Sequence, residues 1–334
     1  MSTSGGAEGV WGERFPPRIG GVPGGVVPPG DNADHALARD LAAEAGRRLL
    51  ELRARGGEPD LLRKTGDRLS HQFLTAAIAD RCTGDVVLSE EGADDPARLT
   101  TNRVWIVDPL DGTREFGEPG RTDWAVHVAL WERSDVSESG DLTAGAVALP
   151  AQGQVLSTAL AEPPQCSIGA VITGPMFHRG GDGAQGDGAG GDEEADGAGG
   201  AAEVDGRDAG AAAGTRGGDG RVRIVVSRTR APRFVRNISD LIDAELVPLG
   251  SAGAKVAAVV CGEADAYVHA GGFYEWDTAA PVAVARAAGY HASRIDGSPL
   301  AYNQANLWMP DILVCRPALA GTLLQAIREV TNAP

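Results

Sequence analysis

The run Val104-Trp105-Ile106-Val107 is continuously apolar and β-type, and it ends abruptly in Asp108-Pro109-Leu110-Asp111-Gly112-Thr113. Such a run predicts a strand buried on both faces, so helices or another sheet must cover it on either side. Further along the chain, strand and helix blocks are mixed rather than strictly alternating. This favours layered α/β/α packing, an α+β arrangement, over a plain doubly wound sheet. At 334 residues there is room for roughly two domains.

Residues 1–30 are rich in Gly and Pro without a sustained period and read as a disordered leader. From Asp34, a plausible N-cap, Leu37, Leu41, Ala45, Leu49 and Leu52 share a helical face that ends by Gly56. A second helix is predicted over 67–81, followed by a short strand, Val86-Val87-Leu88, that leads into Ser89-Glu90-Glu91. Residues 124–131 alternate as a half-buried strand, with 144–149 and 154–160 as its sheet partners. Segment 179–220 is a Gly/Ala/Asp tract with ten acidic and three basic residues, too polar to offset its ordering entropy, and reads as a disordered insertion. Beyond it the pattern gives a strand at 222–227, helices at 232–243 and 254–261, a strand at 264–269, a helix at 277–288, a strand at 312–315 and a closing helix. Pro281 fits only near a first turn, which puts Asp277 at or just before the start of its helix. The expected division is a leader (1–30), an N-terminal α+β part (31–178), the insertion (179–220), and a C-terminal α/β part (221–334) that carries Asp277 and the substrate wall.

The formal charge of −16 and the lack of a basic stripe argue against a nucleic-acid polymer as partner. An acidic protein can still take an anionic small molecule if cations bridge the two. The four cysteines have no paired spacing, no apolar run reaches the ~20 residues needed to span a bilayer, and no secretory signal opens the chain. A soluble cytoplasmic protein is expected. Only Lys64 and Lys255 among 30 basic residues are lysines, which makes each worth inspection.

Hydrolysis of a phosphate monoester needs an activated water, neutralised phosphoryl oxygens and a stabilised leaving alkoxide, and two magnesium ions can serve all three needs. Hard cations want carboxylate and carbonyl oxygens. Asp108 and Asp111, three apart around Pro109, could aim at one cation cluster with the Leu110 carbonyl, and Gly112 and Thr113 open a short helix whose amides suit phosphate. Taken singly, each feature has a plainer reading: a surface turn for the Asp-Pro-Leu-Asp-Gly-Thr run, a solvated strand end for Glu90-Glu91, a helix cap for Asp277.

The set taken together, Leu-Ser-Glu-Glu, then Trp-Ile-Val-Asp-Pro-Leu-Asp-Gly-Thr-Arg-Glu-Phe, then Trp-Asp-Thr-Ala-Ala-Pro, closely resembles the inositol monophosphatase superfamily over residues 34–330, the insertion excepted. Within it, Gly250-Ser251-Ala252-Gly253-Ala254-Lys255 looks most like the CysQ-type 3'-phosphoadenosine 5'-phosphate phosphatases. The resemblance implies an αβαβα sandwich of the sugar-phosphatase kind and sensitivity to lithium. It also implies that Glu90, Asp108 and the Leu110 carbonyl hold one magnesium ion and Asp108, Asp111 and Asp277 a second. Asp67 is implied to start the second helix and to help a weaker third metal, and Thr113 with Glu90 to orient the attacking water. Lys255, Ser251, Arg230 and His269 are candidate substrate contacts, with Arg230 where relatives often carry His and His269 where they often carry Arg. The implied activity is hydrolysis of 3'-phosphoadenosine 5'-phosphate to AMP and phosphate in sulfate assimilation. A phosphatase for inositol 1-phosphate or fructose 1,6-bisphosphate and a non-catalytic nucleotide or phosphate sensor are the alternatives. Relatives often form homodimers.

Overall fold

The computed structural model describes residues 32–134, 139–158, 220–229 and 231–332. The expected leader, Arg230 and all of the 179–220 insertion except Gly220 lie outside these residues.

Helices α1 (Asn32–Ala54) and α2 (Pro59–Arg81) cover one face of a first sheet. The second helix begins at Pro59, not at Asp67, because the Glu58 carboxylate accepts from the amides of Asp60 at 3.1 Å and Leu61 at 2.8 Å. Pro59 occupies the first helical position, where its missing N–H costs nothing. Asp67 therefore stands within the helix and does not start it. Its neighbour Gly66 allows close approach: a Cβ there would come within 2.9 Å of Phe116 Cε1 and 3.0 Å of Leu110 Cδ2.

The first sheet runs in the spatial order β1 (Val86–Ser89), β2 (Arg103–Asp111), β3 (Ala125–Arg133), β4 (Gly140–Leu149), β5 (Gln154–Ser157). β1 pairs with β2 in parallel, and the remaining neighbours are antiparallel. The short helix α3 (Thr113–Gly117) follows β2. Contrary to the half-buried reading, β3 is covered on both faces. Trp124, Val126, Val128 and Leu130 pack with α1 and α2, while Ala125 and Ala129 share a core with α5 (Ala252–Val260) and α6 (Glu275–Ala287). Small residues on that face admit the helices at short range, as a Cβ on Gly145 of β4 would lie only 2.8 Å from Ala283 Cβ.

A second sheet has the order β7 (Glu245–Leu249), β6 (Arg223–Ser227), β8 (Ala266–Tyr274), β10 (Trp308–Cys315), β9 (His291–Ser293). Its far face is covered by α4 (Arg233–Ile242) and α7 (Pro317–Thr331), where Val235, Ile238, Leu323 and Ile327 are buried. Helices α5 and α6 fill the space between the sheets, so the layers run α/β/α/β/α, the sandwich that the family resemblance implies. Strands β7 and β9 were absent from that expectation. Pro248 breaks the β7 pattern, and an edge strand tolerates it because its N–H is not needed by a second neighbour. Helix α6 begins at Glu275, which leaves Asp277 in the first turn but carries Pro281 into the helix interior. Cys82 and Cys315 are free thiols, whereas Cys261 is engaged in a disulfide, which the scattered spacing does not predict. Among the described residues no helix is long and apolar enough to cross a membrane.

Candidate active site

The β2–β3 ladder pairs Asp108 with His127 and Asp111 with Ala125, three steps on one strand against two on the other. One residue of the Pro109-Leu110 pair is thus extra, a bulge at a point where proline has no N–H to give the ladder. In a regular strand, residues three apart point to opposite faces. The bulge cancels that alternation and brings the carboxylates of Asp108 and Asp111 to one face, which also carries His127. Both aspartates are buried, at 1% and 9% exposure.

A cavity of about 270 Å³ opens at this strand end. Glu90, Asp108, Leu110, Asp111, Gly112, Thr113 and Asp277 all border it, as do Ser251, Lys255 and His269. Segments far apart in sequence therefore converge as the three motifs anticipated. Gly112 adopts φ +85°, a left-handed conformation that turns the chain from β2 into α3. The Thr113 hydroxyl lies 3.1 Å from the Leu110 carbonyl and 3.5 Å from Asp67 Oδ1, so its single proton serves one acceptor or the other. The carboxylate within its reach is Asp67.

Asp111 Oδ2 accepts from Ser251 Oγ at 2.6 Å and from the Gly253 amide at 2.8 Å, and His127 Nε2 stands 3.2 Å away. Burial works against its charge, but His127, Lys255 and Ser251 together outweigh burial and hold its pKa at about 2. The other carboxylates shift the opposite way. Burial, with the charges of Glu90, Asp111 and Asp277, pushes Asp108 well above the usual range. Glu90 keeps one side to solvent at the cavity mouth, yet desolvation of its carboxyl and the charges of Asp111, Glu91 and Asp67 push it up to about 7. Asp277 rises to about 7 through burial and the charge of Asp111, and Asp67 to about 7 through burial and the charge of Glu91. So much uncompensated negative charge, offered entirely by oxygen, is the environment a hard divalent cation relieves.

His127 escaped the sequence reading, in which it was only a strand residue. Its ring lies behind the pair, with a nitrogen within 4.8 Å of oxygens of Asp108 and Asp111. Lys255 is almost fully buried, and its ammonium donates to the carbonyls of Gly250 and Ser251, the latter at 2.7 Å. Burial lowers its pKa to about 8 against the pull of Asp111 and Glu115. His269 lies in an aromatic wall, 4.5 Å from the Phe273 ring and 6.3 Å from Tyr267, with Nε2 at 2.9 Å from the Gly271 carbonyl. Arg228, also missed, pairs with Glu115 at 2.8 Å and Glu118 at 2.9 Å on the cavity rim.

The layered sandwich and its strand-end carboxylates define a family, and the sequence agrees: the model of the inositol monophosphatase family matches residues 32–175 and 219–332. The chain belongs to that family. It is 43% identical over 302 residues to a 3'-phosphoadenosine 5'-phosphate phosphatase of Mycobacterium leprae, covering 89% of this chain and 94% of that protein. A protein of the same name from Mycobacterium tuberculosis is 44% identical over 288 residues, covering 86% and 90%. Among solved structures, CysQ from Bacteroides thetaiotaomicron superposes with a TM-score of 0.61 at 25% identity, over 85% of this chain and 97% of that one.

Proposed function

We propose that this chain is a magnesium-dependent phosphatase that hydrolyses 3'-phosphoadenosine 5'-phosphate to AMP and phosphate. The observation that carries the reading is the convergence of Glu90, Asp108, Asp111 and Asp277, with Thr113, on one cavity. The substrate assignment draws on the mycobacterial phosphatases, which are similar over nearly their whole length.

Glu90, Asp108 and the Leu110 carbonyl would hold one magnesium ion, Asp108, Asp111 and Asp277 a second, and Asp67 would support a weaker third. When bound, these ions neutralise the phosphoryl oxygens and acidify a water molecule. The chain's own residues manage the proton. A hydroxyl is a poor base by itself, so Thr113 takes the water proton while passing its own to Asp67 Oδ1, 3.5 Å away. Water oxygen bonds to phosphorus as the 3'-ester P–O bond breaks, the departing oxygen takes a proton from solvent to give AMP, and Asp67 returns its proton to solvent. Ser251, Lys255, His269 and Gly112 border the space left for the nucleotide.

Phosphate release from 3'-phosphoadenosine 5'-phosphate, inositol 1-phosphate and fructose 1,6-bisphosphate at equal magnesium tests the reading. At least tenfold higher kcat/KM on the nucleotide is expected. Preference for inositol phosphate overturns the substrate, and nucleotide binding without phosphate release overturns the enzyme in favour of a sensor.

A further inference from the structure

His127 is fully buried, does not border the cavity, and touches two segments that carry the carboxylates. Its Nε2 stands 3.2 Å from Asp111 Oδ2, and its Nδ1 lies 3.2 Å from the carbonyl of Trp276, the residue before Asp277. The ring is also boxed in: a Cβ on Gly253 would come within 2.2 Å of Nε2. A planar ring held this tightly fixes the separation of whatever its two nitrogens touch. Here those are the Asp111 carboxylate and the first turn of α6, with Asp108 Oδ2 also 4.0 Å from Nδ1.

We propose that His127 is a positioning residue for the cation site, a spacer that sets the Asp111 carboxylate relative to Asp277 from behind. The inference rests on the proposed function only in taking those two carboxylates as cation ligands. The ring is not itself a ligand, because it lies outside the cavity and its Nε2 faces the same Asp111 oxygen that Ser251 and Gly253 already hold. Without the ring, Asp111 keeps those two bonds but loses the side-chain contact that relays its position to the first turn of α6. Two ligands set at a fixed spacing would then be less well ordered before the cation arrives, at a cost in affinity.

The test is calorimetric titration of Mn2+ into cation-free protein, with no substrate present, for the wild type, His127→Phe and His127→Gln. Phenylalanine keeps the ring volume and loses both nitrogens. Glutamine keeps polar atoms that reach one neighbour or the other, so it remains informative if the phenylalanine variant does not fold. Cation affinity is expected to fall about tenfold or more in His127→Phe, the loss typical for an outer-shell partner, and less in His127→Gln, with stoichiometry unchanged in both. At saturating cation, KM should stay within about twofold of the wild type, because the ring touches no substrate space. Folded variants with wild-type affinity would reduce His127 to core packing. Loss of one bound cation per chain would make it a ligand instead, and either result overturns the inference while leaving the phosphatase reading intact. A wild-type protein that binds no cation overturns both.

Discussion

Arg98 and Asn303 exchange hydrogen bonds in both directions: Arg98 Nη1 donates to Asn303 Oδ1 at 2.8 Å, and Asn303 Nδ2 donates to the Arg98 carbonyl at 3.1 Å. The backbone amides of Asn303 and Gln304 donate in turn to the Glu275 carboxylate, at 2.6 Å and 2.7 Å, at the start of α6. The turn downstream of Glu90 is thereby clasped to the helix that bears Asp277. Arg98 is 1% exposed and Asn303 holds φ +57°, which asparagine tolerates better than most residues. Asn303→Ala removes both side-chain bonds, takes the acceptor from the buried Arg98 Nη1 while the Arg98 carbonyl keeps Thr101 Oγ1, and strains the backbone. Together these cost about 3 kcal/mol, as each lost bond with an orphaned buried partner costs about 1–3 kcal/mol. Urea unfolding measures the loss, and a change below about 1 kcal/mol would mean the clasp is not held this way in solution.

Asp108→Asn keeps shape and removes charge. Burial and the neighbouring carboxylates already disfavour the charge on Asp108, so a neutral amide relieves a cost in the cation-free protein. Thermal stability of the cation-free variant should therefore equal or exceed that of the wild type. Turnover should fall about a thousandfold or more, equivalent to about 4 kcal/mol of barrier, because the shared ligand of the proposed cations loses its charge. Near-normal kcat would remove Asp108 from the chemistry.

Protons and cations compete for the same oxygens. Glu90, Asp67 and Asp277 have pKa values raised to about 7, so without cation the folded state retains protons that the unfolded chain releases near pH 4. The sign follows. Stability from these groups is fully present below about pH 4 and is lost as pH rises through about 7. Cation binding is weakened over the same range and strengthens as the carboxylates ionise. The rise in Tm on adding saturating Mg2+ should thus be small at pH 5.5 and larger at pH 8, by scanning calorimetry at fixed ionic strength. A shift that does not grow with pH would contradict the carboxylate assignment.

The parts of the site legible in sequence are those with local causes. A two-sided apolar run followed by Asp, Pro, Asp and Gly announces a strand that stops at a turn, and β2 with α3 follows that script. The bulge that aligns Asp108 with Asp111 is not written locally, because it exists only against β3. His127 was hidden for the same reason: its alternation marks a face, while its partner at Trp276 lies 149 residues away. Ala125 and Ala129 suggested a weakly covered face, since a small side chain reads alike whether it meets water or a closely packed helix. Asp67 was misplaced through the helix start, where Glu58 acts as the cap in place of the more usual Ser, Thr, Asp or Asn.

Gly66 offers a case in which helix propensity and packing oppose each other. It lies within α2, where exchanging glycine for alanine ordinarily stabilises an exposed helix by about 1 kcal/mol. At this position the added Cβ would stand 2.9 Å from Phe116 Cε1 and 3.0 Å from Leu110 Cδ2, and both side chains are almost completely buried. Neither can swing into solvent, so α2 must retreat from the strand end. Overpacking of this kind costs about 1–3 kcal/mol and outweighs the gain in propensity. The displacement also reaches the chemistry, since Asp67 rides on the same turn and Thr113 is 3.5 Å from its carboxylate. Gly66→Ala should therefore lower both Tm and kcat, with little change in affinity at the two principal cation sites, whose ligands do not ride on α2. A stabilised variant with wild-type kcat would show that the contact between α2 and the strand end is looser than these distances state.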